Sequence, residues 1–202
     1  MQNKPLILAL LVGGMALSGA AQAALIDRGG GLIYDTDLNI TWLADANYAK
    51  TSGYDADGLM NWTTANAWAA GLSYGGYSDW RLPTSDTCVN FNCTGSEMGH
   101  LFYTELGGTA GSSILSSADA DLALFTNIQP LYWSGTEYAP APALAAWGFR
   151  TDYGSQGEGD KLLELSALAV RPGDVGGTVP EPFTLALFGV GLAGMGWARR
   201  QR

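Results

Sequence analysis

The pattern of apolar and polar residues predicts strands near the start of the folded part of the chain. Apolar residues at positions 32–34 and 38–42 surround a polar stretch at 35–37. Short apolar runs separated by turn-forming residues are typical of paired strands. The pattern therefore predicts a β-hairpin, or one strand with a tight turn, within residues 27–42.

Two helices are predicted after this hairpin. Apolar positions recur every three or four residues after Asn61, as on one face of a helix. These positions are Trp62, Ala65, Trp68, Ala69 and Leu72. Asn61 is a favourable cap for the first turn, and Gly71, Gly75 and Gly76 are favourable ends. A second helix is predicted from Ser96 to the glycine pair Gly107 and Gly108.

The last third of the chain is predicted to form further strands. After a loop of small residues at 109–117, aromatic residues are frequent at 131–138 and 146–154. A glycine-rich turn is predicted at 154–160, before a last apolar segment at 161–173. The order strand, helix, helix, strands predicts an α+β domain with an antiparallel sheet.

The N-terminus has the pattern of a secretory signal peptide. A basic start precedes an apolar stretch at 6–17, and small residues precede Ala24 at the spacing of a signal-peptidase site. The apolar stretch is shorter than the roughly 20 residues that cross a bilayer. We therefore predict a signal peptide over residues 1–23, cleaved between Ala23 and Ala24, and an exported protein.

The C-terminus combines a short acidic motif, an uncharged apolar run and a basic end. The motif is Pro180, Glu181 and Pro182, the run covers residues 183–198, and the basic end is Arg199, Arg200 and Arg202. As a helix the run would be about 24 Å long, slightly less than a hydrocarbon core. The arginines would remain cytoplasmic. We predict a single transmembrane helix after a linker at 174–178, in preference to a buried core helix or a GPI signal.

The charge of the domain between these segments excludes some partners. The full chain carries a net charge of -9, and its terminal segments contain four basic residues and one acidic residue. Without them, residues 24–178 carry -12. Such an acidic domain lacks the basic patch that nucleic acid requires. Divalent cations, or solubility outside the cell, suit it better.

The two cysteines, Cys88 and Cys93, are predicted to form a local disulfide. An exported chain meets oxidising conditions, and closing so small a loop stabilises the fold by about 2 kcal/mol. A zinc site is the alternative. With His100 as the only histidine, cysteine and histidine cannot supply four ligands. We therefore predict no metal site here.

The segment GYSDWRLPT at 76–84 resembles the signature of the Lcl C-terminal-like family, a bacterial domain of undefined function. It is more distantly similar to the RLPT segment of the sulfatase-modifying family. Further segments, among them GLIYDTDLNITWLADAN and ALAVRPG, follow the family's order, so the resemblance covers most of residues 24–173. It implies a C-type lectin-like fold. The loop between the two cysteines departs from the family pattern.

The signature is predicted to be a structural framework. Its residues are Asp79, Trp80, Arg81, Leu82 and Pro83. Strand alternation would bury Trp80 and Leu82 and turn Arg81 toward a carboxylate or carbonyl oxygens. Pro83 would fix the backbone where the strand ends.

A ligand face is predicted from the lectin-like resemblance. The candidate residues are Trp133, Tyr138, Trp147, Asp152 and Tyr153. Exposed rings stack on sugar faces, while carboxylates and amides bond sugar hydroxyl groups. The triplet Gln129, Pro130 and Leu131 lacks the carboxylate of calcium-dependent sugar binders. No cofactor is therefore predicted, although calcium remains a weak alternative.

Three acidic clusters are interpreted as turns and caps rather than calcium sites. Residues 35–39 begin like an EF-hand loop, but Ile40 replaces the glycine and Ala46 the bidentate glutamate. Residues 55–58 and 119–121 have the composition of solvated turns and helix caps.

No catalytic residue is predicted. No serine elbow is present, and His100 has no nucleophile partner in the pattern. The alternative is an enzyme that acts on polysaccharide through two carboxylates. Its candidates are Glu97, Glu105, Glu137 and Glu158.

The C-terminal tail resembles the PEP-CTERM sorting signal of Gram-negative bacteria that make exopolysaccharide. The resemblance implies processing by exosortase after transient anchoring in the inner membrane. We therefore predict an exported binding or structural module of the cell surface or extracellular matrix, with exopolysaccharide or surface proteins as partners. The alternatives are the polysaccharide-acting enzyme and a protein-protein adhesin.

Overall fold

The computed structural model describes residues 25–176. Within them, eight strands are β1 Leu25–Asp27, β2 Leu32–Asp35, β3 Ile40–Leu43, β4 Asn90–Phe91, β5 Leu131–Glu137, β6 Ala145–Arg150, β7 Ser155–Asp160 and β8 Val170–Pro172. Three α-helices are α1 Tyr48–Thr51, α2 Trp62–Gly71 and α3 Glu97–His100. A π-helix follows at Leu101–Glu105, and 3-10 helices lie at Ile114–Ser116 and Ala120–Leu124.

The predicted signal peptide and C-terminal tail lie outside the described residues. Within residues 25–176, no helix has the length and apolar character needed to cross a membrane.

The strands form two four-stranded antiparallel sheets. The first sheet has the order β1-β2-β3-β8, and the second sheet has the order β4-β7-β6-β5. The α+β class with antiparallel pairing is thus confirmed, with two sheets where one was predicted. The finer assignment to C-type lectin-like folds stays a prediction.

The predicted hairpin is formed by β2 and β3. Ile33 lies opposite Trp42, and Asp35 lies opposite Ile40 at the turn. Asn39 closes this turn with a φ of 51°, a left-handed conformation that asparagine tolerates better than most residues. The strand β3 is buried along its whole length. Its apolar run therefore reflects its place in the core.

Both predicted helix starts are confirmed by their caps. The Asn61 side chain accepts a hydrogen bond from the Thr64 amide at 2.9 Å, and α2 ends at Gly71. The Ser96 hydroxyl accepts one from the Gly99 amide at 3.1 Å. The second helix changes from α to π geometry after His100, which its apolar pattern did not predict.

The predicted glycine-rich turn at 154–160 is wrong. This segment is the strand β7, which lies between β4 and β6 in the second sheet. Its backbone groups bond partners on both sides, so pairing does not depend on apolar side chains of its own. The pattern also predicts a strand over the next segment, 161–173. Within this segment only β8, near its end, is a named strand.

The predicted disulfide between Cys88 and Cys93 is confirmed. The loop that it closes contains β4, one of the two edge strands of the second sheet. The buried Gln156 side chain donates hydrogen bonds to the carbonyl oxygens of Asp86 and Cys88, at 3.2 and 2.7 Å. The disulfide loop is thereby attached to β7.

Candidate functional site

Two of the five residues of the predicted ligand face are buried. Trp133 has no exposed surface, and its indole N–H donates to the Met60 carbonyl at 2.9 Å. Trp147 is 4% exposed. Trp133 lies opposite Gly148, so alternation directs Trp147 to the other side of the sheet. A single aromatic face that includes both tryptophans is therefore wrong.

The other three predicted residues are more accessible, but each of them contacts a different neighbouring residue. The Tyr138 ring packs edge-on against Trp147, with centroids 5.2 Å apart. Asp152 accepts two hydrogen bonds from the Arg150 guanidinium, at 3.1 and 2.8 Å, which hold the pKa of that carboxyl below its usual range. Tyr153 is 50% exposed and packs against Phe91 of β4.

An open groove lies on the face of the second sheet that carries three glycines, and we name it the glycine groove. Gly148 on β6 lies opposite Gly157 on β7, and Gly159 follows two residues later on the same face. The groove has a volume of about 300 Å³. Because glycine has no side chain, the backbone of two strands forms its floor.

The two ends of the glycine groove differ in polarity. One end contains the side chains of Asn90, Arg150 and Ser155. At the other end, a methyl group added at Gly159 would lie 3.4 Å from the Trp133 ring, whereas one added at Gly157 would meet no atom within 4 Å. The groove is thus open at Gly157, and the sequence did not predict it because Gly157 and Gly159 were assigned to a turn.

The signature motif is built into the fold as its alternation predicted. Trp80 and Leu82 are buried, and the Arg81 guanidinium donates to both carboxylate oxygens of Glu97 at 2.7 Å. The Thr84 amide donates to the same carboxylate. Glu97 begins α3, so this pair joins the motif to the second helix.

Asp79 joins the motif to the first sheet. Its carboxylate accepts hydrogen bonds from Arg171 of β8 at 2.8 and 3.0 Å, and these bonds lower the pKa of Asp79. The Arg171 guanidinium also stacks on the Tyr77 ring, 4.0 Å from its centroid. The motif's charged residues therefore act within the framework.

The acidic clusters at 55–58 and 119–121 are a turn and a cap, as predicted. The Asp55 carboxylate accepts hydrogen bonds from the amides of Asp57 and Gly58, at 3.1 and 2.8 Å. Asp119 caps the 3-10 helix by accepting from the Asp121 amide at 2.9 Å.

Three of the four candidate glycosidase carboxylates bond other side chains. Glu97 pairs with Arg81, and Glu137 accepts a hydrogen bond from Lys161 at 2.6 Å. Glu105 lies 3.0 Å from the His100 ring.

Asp35, His100 and Glu105 form a buried cluster, with one ligand atom of each within 4.8 Å of the others. The Asp35 carboxylate accepts the amides of Asp37 and Leu38, which confirms the predicted turn at 35–39. The sequence did not predict this cluster, because an α-helix brings together residues three or four positions apart and not residues five positions apart. His100 and Glu105 are five apart and meet through the π-helix.

Residues 25–176 thus define an α+β domain with two antiparallel sheets, one of which carries an open groove. The Lcl C-terminal domain profile matches residues 31–172, and the chain belongs to the Lcl C-terminal domain family. The resemblance seen in the signature motif is confirmed at that level. No curated protein matches the chain.

The profile of the PEP-CTERM protein-sorting motif matches residues 178–200. This motif indicates an exported protein with a C-terminal sorting tail that exosortase processes. The predicted export and the predicted processing partner are confirmed.

Proposed function

We propose that this exported protein is a non-enzymatic binding module of the cell surface or extracellular matrix, and that its glycine groove takes a neutral polysaccharide chain. The observation that carries the proposal is the open floor at Gly157, which leaves room for a ligand against the backbone of β7.

The groove has the chemistry that sugar hydroxyl groups require. The Asn90 amide and the Ser155 hydroxyl both donate and accept hydrogen bonds. Tyr153, exposed after β6 and packed on the strand next to β7, offers a ring for stacking. Asn90 and Ser155 lie at the polar end of the groove, and Tyr153 packs on Phe91, the residue after Asn90.

The electrostatics favour a neutral chain over an acidic one. Residues 24–178 carry a net charge of -12, counted from the full chain without its terminal charges. Arg150, the basic residue that lines the groove, is paired with Asp152 at 2.8 Å. An anionic polysaccharide would meet long-range repulsion without a free cation in the groove.

The tail supports a route to this location. Its apolar run at 183–198 and its terminal arginines suit temporary anchoring in the inner membrane before exosortase processes the protein. After processing, the domain would be released to the cell surface or the matrix.

The test is calorimetric titration of the purified protein with neutral and acidic fractions of the matrix polysaccharide from its own source bacterium. We expect saturable heat with the neutral fraction. Gly157→Phe fills the open floor and is expected to weaken binding at least about tenfold, or about 1.4 kcal/mol. Gly71→Phe is the matched control, because Gly71 is exposed at the end of α2 with nothing within 4 Å of an added side chain.

Absence of heat with both fractions would overturn the proposal. Equal binding by Gly157→Phe and Gly71→Phe would show that the glycan binds outside the groove.

A protein-protein adhesin is the second candidate, and a separate surface favours it. Leu144 and Leu162 are 69% and 83% exposed and line one depression with Ala143. Exposed apolar residues that lie together mark contact surfaces. Leu162→Asp would abolish such a contact without affecting glycan binding, as judged by pull-down of surface proteins beside calorimetry.

A further inference from the structure

We propose that Asp35, His100 and Glu105 form a binding site for one divalent first-row transition ion of the zinc type. The three residues come from the end of β2, the end of α3 and the π-helix. Their ligand atoms lie within 4.8 Å of one another. The proposal concerns a different part of the molecule from the glycine groove and does not depend on glycan binding.

The distances suit an ion with little rearrangement. A zinc ion holds nitrogen and oxygen ligands at about 2.0–2.2 Å, so two of its ligands lie roughly 3–3.5 Å apart. The His100 Nε2 atom and the Glu105 Oε1 atom are already 3.0 Å apart. A small rotation of Asp35 or of His100 would complete a three-ligand set.

The charge of the cluster calls for a cation. Asp35 is fully buried and Glu105 is 4% exposed, and the only basic group of the cluster is the His100 imidazole. A third carboxylate, that of Asp37, lies 3.9 Å from the His100 Nε2 atom. Buried carboxylates are costly unless they are paired or bind a metal. One imidazole, even when protonated, balances only one of them.

The basic side chains of residues 25–176 are placed elsewhere. Five of the six form ion pairs with other carboxylates, and these are Arg28, Arg81, Arg150, Lys161 and Arg171. The sixth, Lys50, is exposed on α1. The cluster therefore has no guanidinium or ammonium partner among the described residues.

Hydrogen bonds from three neighbouring groups orient the Asp35 carboxylate as a metal ligand. Its Oδ1 atom accepts hydrogen bonds from the amides of Asp37 and Leu38, at 3.1 and 2.9 Å. Its Oδ2 atom accepts the indole N–H of Trp42 at 3.3 Å. Hydrogen bonds of this kind orient carboxylate ligands in metal sites. The π-helix adds a second feature, since such turns occur frequently at functional sites.

The donor set decides the class of ion. Calcium and magnesium prefer oxygen ligands alone, whereas imidazole suits zinc, iron, nickel and copper. One imidazole nitrogen with two carboxylates therefore selects a first-row transition ion. Asp37 is positioned to supply a fourth ligand, or a water molecule can do so.

The test is metal binding by the purified full chain after treatment with a chelator, with Zn²⁺ and Ca²⁺ titrated separately by calorimetry. We expect one saturable zinc site and at least about tenfold weaker calcium binding. His100→Gln is expected to lower the zinc affinity by at least about tenfold. Glu137→Gln, which changes a half-exposed carboxylate bonded to Lys161, is the matched control and should leave zinc affinity unchanged.

Equal zinc affinity in the wild type and in His100→Gln would overturn the proposal, as would absence of saturable binding. If His100→Gln fails to fold, the wild type still reports the site, because His100 is the only histidine. Its imidazole resonances in an NMR spectrum should shift on addition of one equivalent of Zn²⁺. Unchanged resonances would equally overturn the site.

Discussion

The first sheet and strand β7 of the second sheet are stabilised in different ways. In the first sheet, β3 is buried at all four positions and β2 at three of four. In the second sheet, β7 has the sequence SQGEGD, and Gln156 is its one buried residue. The first sheet is specified by apolar side chains, whereas β7 is held by backbone bonds to β4 and β6.

This difference explains why the glycine groove lies on the second sheet. A strand that does not need its side chains for the core can use glycine, and the space left by glycine forms the glycine groove. The first sheet has no such freedom, because its side chains fill the interior. The following variants test this difference by changing the first sheet, the second sheet or segments attached to them.

The largest effect is expected in the first sheet. Ile33→Ala removes a buried side chain of β2 and should lower the free energy of unfolding by about 2–5 kcal/mol. Leu162→Ala, at an 83% exposed position, should change it by less than about 0.5 kcal/mol. Urea denaturation of both variants measures the contrast. Similar losses would mean that β2 does not contribute to the core as described.

Removal of the disulfide is expected to weaken the second sheet. The double variant Cys88→Ser and Cys93→Ser should lose about 2 kcal/mol, because the unfolded chain gains the freedom of an open loop. Hydrogen exchange should increase at β4 and at the amides of β7 that face it, with β2 and β3 much less affected. Thr94→Ser, directly after Cys93, is the control. A uniform increase across both sheets would contradict the distinction.

The ion pair between Asp79 and Arg171 should give the first sheet a small acid sensitivity. The folded-state pKa of Asp79 is lowered chiefly by the Arg171 hydrogen bonds, so its stabilisation is present above the ordinary aspartate pKa of about 4. It is lost as the pH falls through the lowered folded-state value. Because the Asp79 side chain is 47% exposed, we expect less than about 1 kcal/mol.

Urea denaturation of the wild type and of Asp79→Asn at about pH 6 and about pH 2 measures this contribution. The variant should be less stable at the higher pH and nearly equal at the lower one. Glu164→Gln, at an exposed position, is the control. A difference in the free energy of unfolding between wild type and Asp79→Asn that grows as the pH falls would contradict this prediction.

The smallest effect is expected at the floor of the glycine groove. Gly157→Ala should raise the free energy of unfolding by about 0.5 kcal/mol, because alanine loses less backbone freedom on folding and meets no atom within 4 Å. Gly148→Ala is the matched variant in the neighbouring strand. Its added carbon would lie 3.0 Å from the Tyr132 carbonyl oxygen, so it should lower stability. Losses of equal size in both variants would show that the floor is not open.

Local signals account for the features that the sequence predicted correctly. Asn61 and Ser96 cap their helices through hydrogen bonds to residues three positions later. Cys88 and Cys93 are close in the chain and close in space. Alternation around Arg81 predicted which side chains of the motif are buried, although the partner carboxylate, Glu97, was not predicted.

Non-local packing accounts for the features that the sequence did not predict. Whether Trp133 is exposed or buried depends on Met60, which lies 73 positions earlier in the chain. The strand β7 has the composition of a turn and becomes a strand only because β4 and β6 flank it.

The sequence by itself determined the family, the C-terminal sorting signal, the helix starts and the disulfide, because each depends on residues that are close together in the chain or follow the family's order. Only the tertiary structure decided the two candidate sites. The glycine groove requires three strands in register, and the cluster of Asp35, His100 and Glu105 joins residues 70 positions apart. Such proximity follows from how the sheets and helices pack, which no local pattern encodes.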